Sequence, residues 1–447
     1  MPGDATQGFE PVLRLFEAGK AAFGRGGGAY CAYVGGRAVV DAWGGTARPG
    51  QPWTHDTTAV IMSATKGLTS LCVQILVEEG RIDLDAPVTD YWPEFGQAGK
   101  AATTVRHLML HTAGLLGFPE PYDVLGWDGK GWDDYDAIAR AFAAAPPSWE
   151  PGSKHGYHAT SFGWLVGEVV RRVSGQTVGA LFRQRIGEPL GLDTWIGTPA
   201  SKLDDVAHVI PTDPQLLPRM MRGSYRKMLA LTCDDTTLTG LSFLAGRGTG
   251  AVAQIEALMN TPAFLTAEFP SGNATSTARS LARVFAMVGN GGTLDGHRVL
   301  APETIDTFAE RTMGLPDELA KEMKLPLLLR KAASAQEPRA MGYLGNAVGS
   351  APTPMMGPNP TSFGVAGLGG QVAFCDQQHG IATAYVRSDL ALIDVFSADL
   401  TAELYRCAAA QGVVPASVIE PSGGRVQQAI GRAGAGYLRR AQQRAGG

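Results

Sequence analysis

Apolar positions along this chain recur with two periods, and the two alternate from one end to the other. Val12, Leu13, Leu15, Phe16, Ala21 and Ala22 fall at helical spacing and predict an amphipathic helix from Phe9 to Phe23. The run Gly24 to Gly28 ends it, and Ala29 to Val34 and Ala38 to Trp43, split by Gly35-Gly36-Arg37, then read as a β-hairpin. Leu68, Leu71, Cys72, Ile75, Leu76 and Val77 restore the helical period up to a stop at Gly80. Thr104 to Leu110 is helix-like, and Phe162, Leu165, Val166, Val169 and Val170 mark another helix. Ser276 to Val288 and Pro302 to Glu310 follow as helices. Short strands are expected at Val372 to Phe374 and Ile381 to Val386, joined by a turn at Asp376 to Gly380, before a last helix from Ala398 to Gln411. The stretches 216–270 and Leu325 to Pro360 show no usable period, and no internal repeat is visible.

Composition narrows this little. The 447 residues are 45% hydrophobic and 18% charged, as in an ordinary globular protein, and a net charge of -4 invites neither nucleic acid nor an anionic membrane. Five scattered cysteines, with no C-x-x-C pair, argue against a disulfide framework. The first ten residues carry neither a basic nor an apolar signal region, so a cytoplasmic location is expected. From Gly412 the chain reads as a linker followed by a basic tail, Arg425 to Arg444.

Candidate chemistry centres on Ser63-Ala64-Thr65-Lys66. Ser63 stands at a predicted helix start, where backbone N–H groups and the helix dipole favour a developing oxyanion, and Lys66 lies one turn on along the same face. The pattern alone is weak: serine is a good N-cap, and Ser224-Tyr225-Arg226-Lys227 repeats the spacing. His107 and His111 have the spacing of a zinc-binding helix, but Leu108 stands where the general-base glutamate belongs, so no metal and no cofactor are expected. The Gly24 to Gly28 run lacks the phosphate-loop spacing. The aromatic segment Phe118 to Trp149 supplies Trp127 and Trp132 as candidate walls of an acyl pocket, though such residues equally build a core. Tyr157 follows Gly156 just ahead of a buried helix, and Gly367-Leu368-Gly369-Gly370 reads as a glycine-rich strand edge.

Taken in order, Ser63-x-x-Lys66, Tyr157-His158-Ala159 and Val365-Ala366-Gly367 resemble the three motifs of the serine β-lactamase and penicillin-binding-protein superfamily, and within it the class C β-lactamase-like esterases and transacylases. His111-Thr112-Ala113-Gly114-Leu115, Gly163-Trp164-Leu165 and Phe374-Cys375-Asp376 with His379-Gly380 extend the resemblance over residues 10–395. It implies a β-lactamase/transpeptidase-like fold, α/β plus all-α: an antiparallel sheet flanked by helices from 1–95 and 275–411, a mostly helical lobe from 96–274, and 412–447 as linker and tail. It also implies catalysis by Ser63, Lys66 and Tyr157, with Lys66 and Tyr157 as a coupled acid–base pair. The oxyanion hole would be the N–H groups of Ser63 and Leu368, and Gly367, Gly369, Gly370 and Ala159 would contact substrate.

Two departures direct the expectation. Ala159 replaces the asparagine of many relatives, and Val365 replaces the usual lysine or histidine that would hold a substrate carboxylate. A serine esterase acting on a small-molecule ester is therefore expected. The alternatives are a transacylase that delivers the acyl group to an alcohol or amine, and a binding relative without catalysis.

Overall fold

The computed structural model describes residues 3–117, 125–213, 219–244, 254–310, 312–313, 315–323, 338–346, 355–391, 394 and 396–418. Its framework, in chain order, is β1 (Gly3–Ala5), α1 (Glu10–Ala18), β2 (Gly27–Val34), β3 (Arg37–Arg48), α2 (Thr65–Glu78), α3 (Ser161–Ser174), α4 (Ala278–Gly289), β4 (Leu344–Gly345), β5 (Phe363–Gly367), β6 (Gln371–Asp376), β7 (Ile381–Arg387) and α5 (Phe396–Ala410). The strands run across one antiparallel sheet as β1-β3-β2-β7-β6-β5-β4, continued by Pro338–Arg339 and Thr312–Met313. Both ends of the chain thus meet where β2 pairs with β7, in the register Tyr30↔Tyr385.

The β2–β3 hairpin closes at Gly35 and Gly36, with φ of 56° and 76°, a pair of left-handed residues that a two-residue hairpin turn requires. Along β2 and β7 successive side chains feed different cores. Ala29, Cys31, Tyr33, Ala382, Ala384 and Val386 join the face covered by α4. Tyr30, Ala32, Ile381 and Tyr385 join the face covered by α1 and α5, through Val12, Phe16, Leu400 and Leu404. A sheet buried on both faces reads as a near-continuous apolar run rather than a clean alternation, and β7 is buried at every position.

α2 is buried all round from Thr65 to Leu76, so it is a core helix and not a surface one. Two of its polar residues reach out of the helix: Ser70 Oγ donates to Met341 O at 2.8 Å and Gln74 Nε2 donates to the Tyr343 hydroxyl at 2.6 Å. These bonds tie α2 to a stretch in which the sequence showed no period. There the described parts include the sheet-edge strands Pro338–Arg339 and β4, held by pairing of the first with β4 and of β4 with β5 and not by any local pattern. The stretch 216–270 likewise contains the helix Arg219–Thr232. The first helix ends at Ala18 and gives way to a 3-10 turn, Lys20–Phe23, and the last begins at Phe396. Gly367 is the final residue of β5, and 368–370 form a turn where a strand edge was expected. The basic tail beyond 418 and residues 118–124 lie outside the described residues. Among those described, no helix is long and apolar enough to cross a membrane.

Candidate active site

Ser63 lies in a 3-10 turn, Met62–Ala64, that leads directly into α2. The turn is entered through Met62 at φ 51°, a left-handed conformation that a long side chain rarely adopts. Its surroundings hold it there. Ile61 N–H donates to Ala274 O at 2.8 Å, Thr65 Oγ1 donates to Met62 O at 2.7 Å, and Ala274 N–H donates to that same hydroxyl at 3.1 Å. The effect is to fix a half-buried serine at the end of a buried helix.

Lys66, one turn along, is buried, with no carboxylate paired to it among the described residues. Its Nζ lies 2.7 Å from Ala159 O, 2.8 Å from Ser271 O and 3.4 Å from Ser63 Oγ. Burial lowers its pKa to about 7, because a desolvated ammonium loses hydration that two carbonyl dipoles only partly replace. A neutral amine has two N–H donors, which match the two carbonyls, and Ser63 Oγ is its third polar neighbour. Ser271 is itself set by Gly163, where a side chain would collide with the 270–271 backbone. Gly163 N–H donates to Ser271 Oγ at 2.6 Å, and that hydroxyl donates to Thr160 O at 2.7 Å.

Tyr157 sits half-buried on the turn before α3, its ring 5.1 Å from Lys66 Nζ and 5.0 Å from the His111 ring. Ser242 clamps this turn, accepting from Ala159 N–H at 2.9 Å and donating to Tyr157 O at 2.6 Å. His111 Nδ1 accepts from His158 N–H at 3.2 Å, and His158 accepts at Nε2 from Leu115 N–H while donating from Nδ1 to Gly156 O. Burial pushes the His158 pKa down to about 4, which keeps it neutral in this role. His107 Nδ1 accepts from Thr104 N–H and caps its own helix. The two histidines therefore serve hydrogen-bonded turns, and no group of metal-ligating side chains is present among the described residues.

Ser63, Lys66 and Tyr157 line one cleft, with Leu110, His111, Tyr343, Leu344, Val365 and Ala366 around it. Among the described lining residues Lys66 is the only lysine or arginine, and none is acidic. Val365 packs onto α2 at Gly67, where an added methyl would collide with its Cγ1. Gly67→Ala is accordingly expected to cost up to about 2 kcal/mol in denaturant unfolding, the overpacking penalty of about 1–3 kcal/mol exceeding the roughly 1 kcal/mol gained in helix propensity. Stability at or above that of the parent would show that Val365 gives way freely.

The structure redistributes the other candidates. Gly367 lies against the Ile61 carbonyl beside the serine turn, which places Leu368 next to the site and 37% exposed. Gly369 and Gly370, at φ 92° and 105°, face Leu390 and Asp394 and not the cleft. Ala159 contributes its carbonyl to Lys66, and its side chain is buried. Trp132 is a core residue, 1% exposed and packed on Trp164, Phe264 and Phe269, with its Nε1–H donated to Gly126 O. Trp127 packs against the same core and is not among the residues lining the cleft. Ser224 falls on the helix Arg219–Thr232, and its side chain lies outside the described ones. Ser242, Ser271, Tyr343 and Leu344 went unrecognised, for they stand in loops or aperiodic stretches with no spacing relation to Ser63.

Residues 12–404 match the family model for Beta-lactamase. The esterase/beta-lactamase LipL of Mycobacterium tuberculosis is 34% identical over 393 residues, covering 87% of this chain and 83% of that protein. A solved family VIII carboxylesterase superposes with a TM-score of 0.74 at 30% identity, over 91% of this chain and 100% of its own. A penicillin-binding-protein homologue from Caulobacter crescentus gives a TM-score of 0.73 at 31% identity, over 91% of this chain and 100% of its own.

Proposed function

Because the chain belongs to the beta-lactamase family, and so to the serine hydrolases, we propose that it cleaves a small, uncharged carboxylic ester through an acyl-enzyme on Ser63. The observation that carries this reading is the set of contacts around Lys66, whose two carbonyl partners leave the amine lone pair for Ser63 Oγ. In this reading the neutral amine takes the hydroxyl proton as Oγ attacks the ester carbonyl carbon. The oxyanion is met by the N–H groups of Ser63 and Leu368. The proton passes through Lys66 and Tyr157 to the departing alkoxide, and the same pair then activates the water that releases the acid.

The choice of ester over β-lactam rests on Val365 and on the lack of any lysine or arginine besides Lys66 in the described cleft lining, so that a substrate carboxylate would find no cation set aside for it. LipL is named for both activities and the carboxylesterase for one, which agrees with an ester as substrate. The division into a sheet lobe, 1–95 with 275–411, and a helical lobe, 96–274, is part of the same proposal.

Mass spectrometry after exposure to a fluorophosphonate tests the enzyme against the binding relative. One adduct on Ser63 is expected, and its absence from folded protein would end the enzyme reading. An activated aryl ester supplied with and without saturating amine then separates hydrolysis, which we expect, from acyl transfer, which would give the amide. Tyr157→Phe keeps the ring but loses the proton, and kcat is expected to fall by on the order of 10²–10⁴. Full activity in that variant would remove Tyr157 from the proton path. Ser224→Ala is expected to leave turnover unchanged in the same assay.

A further inference from the structure

The turn after β5 is short and unusually braced. Gly370 N–H donates to Gly367 O at 3.3 Å, so 367–370 is a β-turn with Leu368 at its second position and Gly369, at φ 92°, at its third. Glycine at the third position is what a type II turn needs. The bond that closes the turn leaves the Leu368 N–H outside it, and Gly367, the residue before, lies against Ile61 O and the Met62 side chain.

Behind the turn is a buried ion pair that touches neither substrate nor the reacting atoms. Arg387 Nη1 lies 2.9 Å from Asp394 Oδ2, and both side chains are almost wholly buried. Arg387 also donates to Ala22 O and, through Nε, to Asp389 O. Asp394 Oδ1 accepts from Phe396 N–H at 2.7 Å and Ser397 N–H at 3.3 Å, capping α5. Gly370 lies directly on this pair: a Cβ there would approach Asp394 Oδ2 to 2.8 Å and Arg387 Cδ to 3.2 Å. Two further bonds bind the turn to the same segment. Gln371 exchanges hydrogen bonds between its side-chain amide and the Arg387 backbone, at 2.7 and 3.0 Å, and Ala391 N–H donates to Gly369 O at 3.0 Å.

We propose that Arg387 and Asp394 are positioning residues for the reaction, a buried ion pair that anchors the 367–370 turn to the start of α5 and so holds the Leu368 N–H where the oxyanion forms. A pair of this kind is a poor device for stability alone, because desolvation offsets most of its attraction, but removing one member is disruptive. Two glycines in left-handed geometry make the turn easy to deform, so the pair supplies the rigidity that the backbone lacks. An oxyanion donor works only when it is fixed before the charge arrives. The inference rests on the serine acyl-enzyme reading.

The variant to make is Asp394→Asn, which keeps the shape and one oxygen for capping but sets an amide against the guanidinium. Asp394→Ser is the second variant: it retains a good helix cap while falling short of Arg387. Both are assayed in the full-length protein with an activated aryl ester, with rates divided by the number of Ser63 sites that a fluorophosphonate labels, so that any misfolded fraction drops out. The expected result is a fall in kcat per labelled site of about tenfold or more, with KM within about twofold, and an equal weakening of an arylboronate that forms a tetrahedral adduct on the serine. A purely structural role would lower the number of labelled sites and leave kcat per site and the boronate Ki unchanged, and that outcome overturns the proposal. So does a fall in kcat without a matching change in boronate binding. Failure of the parent protein to take the label at all would instead remove the serine reading, and this inference with it.

Discussion

Ser63→Ala is expected to lower turnover of an activated aryl ester by on the order of 10⁴-fold or more, since in the proposed mechanism Ser63 carries the acyl intermediate. The alanine should fit without disturbance, because the turn is held by Ile61, Thr65 and Ala274, whose bonds do not involve the serine hydroxyl. Substrate binding should therefore survive, with a Kd for the intact ester above the parent KM, because accumulation of the acyl-enzyme lowers KM below the true dissociation constant. The decisive measurement is a pre-steady-state burst: the parent should release one equivalent of phenol per site and Ser63→Ala none. A burst in the variant would mean that another residue is acylated, and the assignment of Ser63 would fall.

The second large effect concerns Lys66. If its amine is the base, the working form is the unprotonated one, and burial has already moved its pKa from the usual 10.5 to about 7. The sign follows: kcat/KM should be low in acid, rise as pH passes through about 7, and level off above it. Lys66→Met, which cannot take a proton, and Lys66→Arg, which cannot lose one, should both lose on the order of 10²–10⁴ in kcat/KM. The arginine variant is the more telling. A residue needed only for positive charge would be served by a guanidinium, so substantial activity in Lys66→Arg would show that Lys66 acts electrostatically and not as a base. A flat profile between pH 6 and 9 in the parent would count against the same role.

Legibility in the sequence followed locality. The α2 helix and the β2–β3 hairpin were readable because their signals, a helical period ended by Gly80 and a two-glycine turn, act over a few residues. Ser63, Lys66 and Tyr157 were readable only as short patterns in a familiar order, and Ser224 shows how little one such pattern carries. β4 and Pro338–Arg339 were invisible, because two-residue strands have no period and exist only through pairing along the sheet edge. The tryptophans misled for a related reason: an aromatic residue in a loop-rich stretch is equally suited to a pocket or a core, and the packing of Trp164, Phe264 and Phe269 around Trp132 decided it.

By itself the sequence determined the principal helices and the β2–β3 hairpin, the helix that starts at the serine, the lack of a lysine or histidine at Val365, and the motifs that carry the resemblance to this family. Only the tertiary structure decided the electrostatics. The low pKa of Lys66 depends on burial, and its Nζ is held by the carbonyls of Ala159 and Ser271, of which the latter lies 205 residues away. The turn bearing Leu368 packs through Gly370 on Asp394, which the chain brings there by folding α5 over the far face of the sheet. A pattern within a few residues can specify a helix or a turn, because those bonds are local. A proton affinity or a fixed N–H depends on dielectric and contacts assembled from distant parts of the chain, and these exist only once the core has closed.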